Sequence, residues 1–271
     1  MQKKLIVSDV DGTLFQTDHT ISPLTKEAIQ MSMAQGHHFA IATGRMHGAG
    51  KLVTQDLPYD GYLISCNGAV VKHVKTGEVI HTAPLTQESI IEAVKICRAE
   101  GIYFHLYDSE TIYVFELAHL AKRYHDLMPK LPDALKFEIK VIDSVEAVLK
   151  SPIFKIGLFS EDLEKFERVK NALASLDFFE MCQSMTTSFD VNAKGVNKAT
   201  GIQALGKHLG IAQSDVIAFG DNDNDMEMIQ YAGVGVAMGN ALETLKNVAD
   251  QVTDTNDRDG IAKALKVLLE Y

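Results

Sequence analysis

Lys3-Lys4-Leu5-Ile6-Val7-Ser8-Asp9-Val10-Asp11-Gly12-Thr13 is a short apolar run that ends in two aspartates one residue apart, followed by glycine. Leu5-Ile6-Val7 reads as a buried parallel strand, and open α/β sheets bind ligands in the crevice beyond the carboxyl ends of their strands. Asp9 and Asp11 therefore fall at a crevice. Gly12 permits a tight turn there, and the Thr13 hydroxyl can bond its own backbone. Taken alone, Asp-x-Asp-Gly also matches a calcium loop or a plain Asx turn, so the choice rests on the remainder of the chain.

Two more apolar strands end in the same manner. Ala40-Ile41-Ala42 runs into Thr43-Gly44-Arg45, and Val216-Ile217-Ala218-Phe219 runs into Gly220-Asp221-Asn222-Asp223-Asn224-Asp225. A common sheet gathers the three ends at one edge. One aspartate suffices to cap a helix, whereas three carboxylates in five residues exceed that need and suit a divalent cation.

The intervening pattern is consistent with such a sheet. Residues 24–34 form a helix with Ser22 as cap and Pro23 at its first position, strands follow at 38–42 and 62–66, and a hairpin spans 69–74 and 78–82. From Pro84 to Thr187 the texture changes. An amphipathic helix over 86–100 leads to strands at 102–107, 111–115 and 153–159, a proline-punctuated stretch near Pro129 and Pro132, and a helix with Leu163, Phe166, Val169 and Leu173 on one face. The parallel pattern then returns with helices near 197–209 and 225–231 and strands at 216–219 and 234–237. The expected architecture is α/β: a Rossmann-type parallel-sheet core from residues 1–83 and 188–271, with an α+β domain inserted over 84–187.

Composition narrows the partners. Of 271 residues, 46% are hydrophobic and 23% charged, and 36 acidic against 26 basic side chains leave a formal charge of -10. That balance disfavours nucleic acid and anionic membranes. Cys66, Cys97 and Cys182 are odd in number and match no metal spacing, which suits reduced thiols. No apolar leader and no bilayer-length apolar run occur, so a soluble cytoplasmic protein is expected. His37, His38, His47 and His105 have no ligand spacing, and Met226, Met228 and Met238 read as core.

Asp9-Val10-Asp11-Gly12-Thr13, Thr43-Gly44-Arg45, Lys198 and Gly220-Asp221-Asn222-Asp223-Asn224-Asp225, in that order, resemble the four motifs of the haloacid dehalogenase superfamily. Asn67-Gly68-Ala69 before a hairpin, the insertion after it, and Gly235-Val236-Ala237-Met238-Gly239-Asn240-Ala241 resemble the Cof-type sugar-phosphate phosphatases, which carry a large α/β cap. The resemblance implies Mg²⁺-dependent hydrolysis of small phosphate monoesters through an aspartyl-phosphate. It makes Asp9 the nucleophile and Asp11 the general acid and base. It gives the metal to the Asp9 carboxylate, the Asp11 backbone carbonyl and Asp221, and the phosphate to the Val10 and Gly44 amides, Thr43, Lys198 and Asn224. Asn67, Arg45 and Asp225 are expected to support the site, Asn67 by orienting the nucleophile loop, Arg45 by touching substrate or by pairing with a surface acid, and Asp225 as a metal-shell or lysine-pairing carboxylate. The relatives' glycine after the motif lysine is Ala199 here.

The chemistry suits these roles. A carboxylate nucleophile divides one hard displacement into two steps, and neighbouring negative charge favours the protonated form of the second acid. Spacing of two puts Asp9 and Asp11 on one side of an extended segment. Lys198 opposes the dipole of its own helix, which calls for a local anion. In the cap, Tyr103, His105, Tyr107 and Arg123 are candidates for substrate contact, although packing is the simpler account of each. A phosphomutase and a non-hydrolytic phosphosugar or metal sensor are the competing functions.

Overall fold

The strand that carries Asp9 is the centre of the molecule. The computed structural model describes residues 2–57 and 60–270; residues 1, 58, 59 and 271 of the expected core segments lie outside it. β1 (Leu5–Ser8) is buried at all four positions, so both faces of its sheet are covered. It pairs in parallel with β2 (His38–Ala42), which pairs with β3 (Tyr62–Ser65), and β4 (Val70–His73) and β5 (Val79–Thr82) add an antiparallel margin.

The chain then builds a second sheet from β6 (Tyr103–Tyr107), β7 (Thr111–Val114), β8 (Glu138–Val141), β9 (Lys155–Phe159), β10 (Phe179–Met185) and β11 (Ser188–Ala193), in the order β10-β11-β9-β6-β7-β8. It returns with β12 (Val216–Gly220), β13 (Val234–Ala237) and β14 (Gln251–Val252), completing the first sheet as β14-β13-β12-β1-β2-β3-β4-β5. The fold is thus α/β, with a parallel sheet as its main layer. Leu5 aligns with Val216 on one side and His38 on the other, which brings three strand ends together as the sequence implied.

Local chemistry explains the element ends. Ser22 accepts the Thr25 amide ahead of Pro23, opening the helix Pro23–Ala34, which packs on the helix Gly260–Leu268. The helix Gln87–Glu100 is capped by Thr86 and stopped by Gly101 at φ 65. With the helix Leu163–Ala174 it covers the second sheet, whose core is separate from that of the first. A third apolar cluster, including Met46, Val70, Tyr107, Ile112 and Phe154, joins the two sheets along a seam.

Three sequence expectations change. Phe189 and Val191 face the core of the second sheet, so that sheet runs to Ala193, past the return expected at residue 188. The helix His119–Leu127 and the edge strand β8 flank the proline-punctuated stretch, which itself forms two 3₁₀ turns. That helix begins at His119 with φ 45 and no side-chain cap, so it carries no start signal. The strand expected to reach Cys66 stops at Ser65, because Cys66, Asn67 and Gly68 all take positive φ (49, 53 and 101) and reverse the chain.

Candidate active site

Lys198 is where the charges meet. It opens the helix Lys198–Leu209, whose N-cap Asn197 accepts the Thr200 amide while the Thr200 hydroxyl accepts the Asn197 amide. The ammonium is 1% exposed and donates to Asp9 Oδ1 at 2.5 Å and Asp225 Oδ1 at 2.6 Å. The anion that Lys198 demanded at a helix N-terminus is therefore a pair of carboxylates. Burial works against its charge, but Asp225 and Asp9 overcome burial and hold its pKa well above the ordinary lysine value.

Asp9 is carried one residue past β1, where its amide still donates to the Phe219 carbonyl of β12. Its carboxyl is pushed up to about 8, first by burial, opposed by Lys198 and reinforced by Asp225 and Asp221. Asp221, just past β12, rises to about 6, chiefly through burial and then Asp225, while the Thr13 hydroxyl donates to its Oδ1 at 2.7 Å. Burial leads in both shifts, and the crowding of three acids around one ammonium adds to it.

Asp9, Asp221 and Asp225 each present an oxygen, all within 4.8 Å of one another. Asp225 is fully engaged, with Oδ1 on Lys198 and Oδ2 accepting the Asp221 and Asn222 amides at 2.9 and 3.2 Å. It is thus the lysine partner and the organiser of its own loop. Asp9 and Asp221 commit Oδ1 to Lys198 and Thr13, and their Oδ2 atoms carry no hydrogen bond among the described residues. An all-oxygen set with excess negative charge fits a hard divalent cation.

Asp11 departs from expectation. The chain does not stay extended: the Thr13 and Phe15 amides donate to the Val10 carbonyl and the Leu14 amide to that of Asp9, with Gly12 at φ 88. Val10 is buried, whereas the Asp11 side chain is 54% exposed and stays outside the acidic cluster. Its charged neighbour is positive. Arg45 grips it with Nη2 at 2.7 and 3.0 Å and Nε at 3.2 Å, a bidentate pair, and stands 5.9 Å from the Phe15 ring centroid.

Beyond β2, Thr43 is buried, its amide donating to the Ile64 carbonyl at 2.8 Å and its carbonyl accepting from the Asn67 amide at 3.1 Å. Its Oγ1 accepts the Arg45 amide at 3.2 Å. Asn67 does not reach the nucleophile loop among the described residues. Its side-chain amide donates instead to Asp190 and Asn192 of β11, at 3.2 and 3.1 Å. Asn224, Lys198 and Asn67 line a cavity of about 120 Å³, and Asp11, Gly12 and Phe15 line another of about 340 Å³.

Lys155, Asp190 and Asn192 were missed by sequence reasoning. Their signal was a lysine inside the apolar run Ile153-Phe154-Lys155-Ile156 and polar residues alternating with Phe189 and Val191. Tyr103, His105 and Tyr107 pack as a line of rings, at 4.9 and 5.7 Å between successive centroids, and Arg123 is exposed. Met228 and Met238 are core.

A central parallel strand delivers an aspartate to a buried lysine, with acids supplied from the end of the neighbouring strand, an arrangement that sets a candidate nucleophile beside a fixed positive charge. The chain belongs to the haloacid dehalogenase-like hydrolases, whose family model matches residues 6–265. It is 35% identical over 273 residues to YkrA of Bacillus subtilis, covering 99% of this chain and 98% of that one. It is 30% identical to the 5-amino-6-(5-phospho-D-ribitylamino)uracil phosphatase YitU of the same organism, covering 97% and 96%. The solved structure of the subclass IIB sugar phosphatase BT4131 superposes with a TM-score of 0.81 at 29% identity, covering 99% of this chain and 100% of that one. The protein is a phosphatase of the haloacid dehalogenase type. Among the described residues no helix is long and apolar enough to cross a membrane.

Proposed function

We propose that the protein hydrolyses small phosphate monoesters, hexose phosphates among them, with Mg²⁺ and through an aspartyl-phosphate on Asp9. The observation that carries this reading is the buried Lys198 ammonium, 2.5 Å from Asp9 and 2.6 Å from Asp225. It fixes one carboxylate at a strand end and supplies positive charge where a phosphate would arrive.

Asp9 attacks phosphorus, the new O–P bond forms, and the bond to the leaving alcohol breaks as Asp11 gives that oxygen a proton. Asp11 then takes a proton from water, which attacks the aspartyl-phosphate and frees phosphate and Asp9. The Thr43 hydroxyl, the Val10 and Gly44 amides, Lys198 and Asn224 hold phosphate oxygens. Arg45 must part from Asp11, and Asp11 must take up a proton from solvent, before proton delivery, since both oxygens of that carboxyl accept from the guanidinium; the incoming phosphate dianion competes for it. Asp9, Asp221 and the Asp11 backbone carbonyl would hold Mg²⁺, with Asp225 behind them. When bound, the ion offsets repulsion between an anionic nucleophile and a dianionic substrate.

The likeness to the sugar phosphatase BT4131 supports a sugar phosphate as substrate, as does the inserted domain, whose Glu180, Met181 and Cys182 line the 120 Å³ cavity together with Lys198 and Asn224. Phosphate release from a panel of phosphorylated metabolites, with and without Mg²⁺, tests the proposal. Free phosphate is the expected product. An isomerised sugar phosphate in its place would make the protein a phosphomutase, and binding without turnover would make it a sensor.

A further inference from the structure

Lys155 of β9 is 6% exposed and extends its ammonium across the seam between the sheets. Nζ donates to the Gly44 carbonyl at 2.7 Å and to Asp190 Oδ2 at 3.0 Å, and lies 4.7 Å from the Tyr107 ring centroid. Its counter-charge is secured in turn, because Asn67 donates to the same Asp190 oxygen at 3.2 Å and to Asn192 at 3.1 Å. Asn192 anchors to the Cys66 and Phe154 carbonyls at 2.9 and 2.8 Å.

The Gly44 carbonyl belongs to the peptide whose N–H is that of Arg45, and this N–H donates to Thr43 Oγ1 at 3.2 Å. Ammonium, peptide and hydroxyl thus form a chain in a buried setting, where successive hydrogen bonds polarise one another. A hydroxyl oxygen that accepts here keeps its own proton for another acceptor. Stability alone does not account for the arrangement, since a buried ion pair is often replaceable by apolar groups at no loss.

We propose that Lys155, in the inserted domain, is a positioning residue for the reaction: through the Gly44–Arg45 peptide it orients the Thr43 hydroxyl toward the phosphoryl oxygen. The inference rests on the phosphatase reading above, and it makes the phosphate cradle a joint product of both sheets.

The test is a double-mutant cycle between Lys155→Met and Thr43→Val, read as kcat and KM for 4-nitrophenyl phosphate with Mg²⁺. Each single change should lower kcat/KM by about 10- to 100-fold. In the Thr43→Val background, Lys155→Met should cost less than about twofold, because the hydroxyl it orients is gone. Additive losses, or a Lys155→Met enzyme within about twofold of the parent, overturn the proposal. If Lys155→Met misfolds, the paired change Lys155→Met with Asp190→Asn takes its place in the cycle, with folding checked by near-ultraviolet circular dichroism. If the parent releases no phosphate, the phosphatase reading falls by itself, and the cycle is read by calorimetry with inorganic phosphate. Affinities unchanged by Lys155→Met, or additive losses, then reject the positioning role.

Discussion

Asp9 and Asp11 stand two residues apart in opposite surroundings, one buried against a lysine, the other open and gripped by an arginine. Asp9→Asn should lower turnover by roughly 10⁴-fold or more, since an amide is a poor nucleophile. It should not lower the thermal midpoint in metal-free buffer at pH 8, because it relieves crowding among three acids while Lys198 keeps Asp225. Appreciable residual turnover, or a lower midpoint, would contradict the assignment. Asp11→Asn should slow turnover by roughly 10²- to 10⁴-fold and leave metal affinity in place, because the carboxylate lies outside the acidic cluster. Calorimetric titration with Mg²⁺ alongside rapid-mix kinetics separates the two effects. The strand-end acids were legible because a buried strand of four residues that ends in charge has few ordinary explanations. An acid partner for Arg45 was legible as one of two readings, but its identity as Asp11 was not, because it depends on a turn at Val10 that the two-residue spacing conceals.

At the level of elements, the reversal at Cys66-Asn67-Gly68 determines how closely the first helix of the returning segment can approach. A Cβ on Gly68 would stand 2.0 Å from the Asn197 carbonyl oxygen, and one on Gly201 would stand 2.5 Å from Ile64 Cγ2. Gly68→Ala should therefore cost more than about 3 kcal/mol, through positive φ and a backbone clash together. The urea midpoint measures it, and a loss under 1 kcal/mol, roughly the ordinary cost of a point change, would mean that the turn and helix can separate. Activity should fall in step, since Lys198 is the next residue after Asn197. The sequence carried both Asn67-Gly68 and the cap at Asn197 as local signals. It did not carry their contact, nor the cross-seam bonds of Lys155, Asp190 and Asn192, because those join residues more than a hundred positions apart. The boundary at residue 188 failed for a similar reason: Asp190 and Asn192 look solvent-facing until a second sheet edge is laid against them.

For the whole molecule, opposing titrations should shape stability. His47 and His105 are buried, and burial, with Lys72 and Lys51 near the first and Lys155 and His119 near the second, lowers each pKa to about 3. Their folded values lie below the unfolded 6.5, so the unfolded chain binds more protons between pH 3 and 6.5 and stability falls as pH drops through that window. Asp9 acts in the reverse sense: its folded value near 8 exceeds the unfolded 3.8, so stability falls as pH rises toward 8. Asp221, near 6, adds to this at lower pH. In EDTA the thermal midpoint should pass through a maximum near pH 6 to 6.5, and Mg²⁺ should flatten the alkaline side by favouring ionised carboxylates. A midpoint that kept rising to pH 8 without metal would show that the acids are not crowded as described.

The pairing of Leu5 with Val216 also has a consequence during synthesis. β1 meets β2 early, but its other edge has no partner until β12 leaves the ribosome, some 10 to 40 s later at ordinary elongation rates. Throughout that interval the nascent chain presents an open, apolar strand edge, which is a template for pairing with a neighbouring chain. Prematurely terminated products should be aggregation-prone, and a ribosome-bound chaperone would serve this protein by shielding the open edge of the strand that carries its nucleophile.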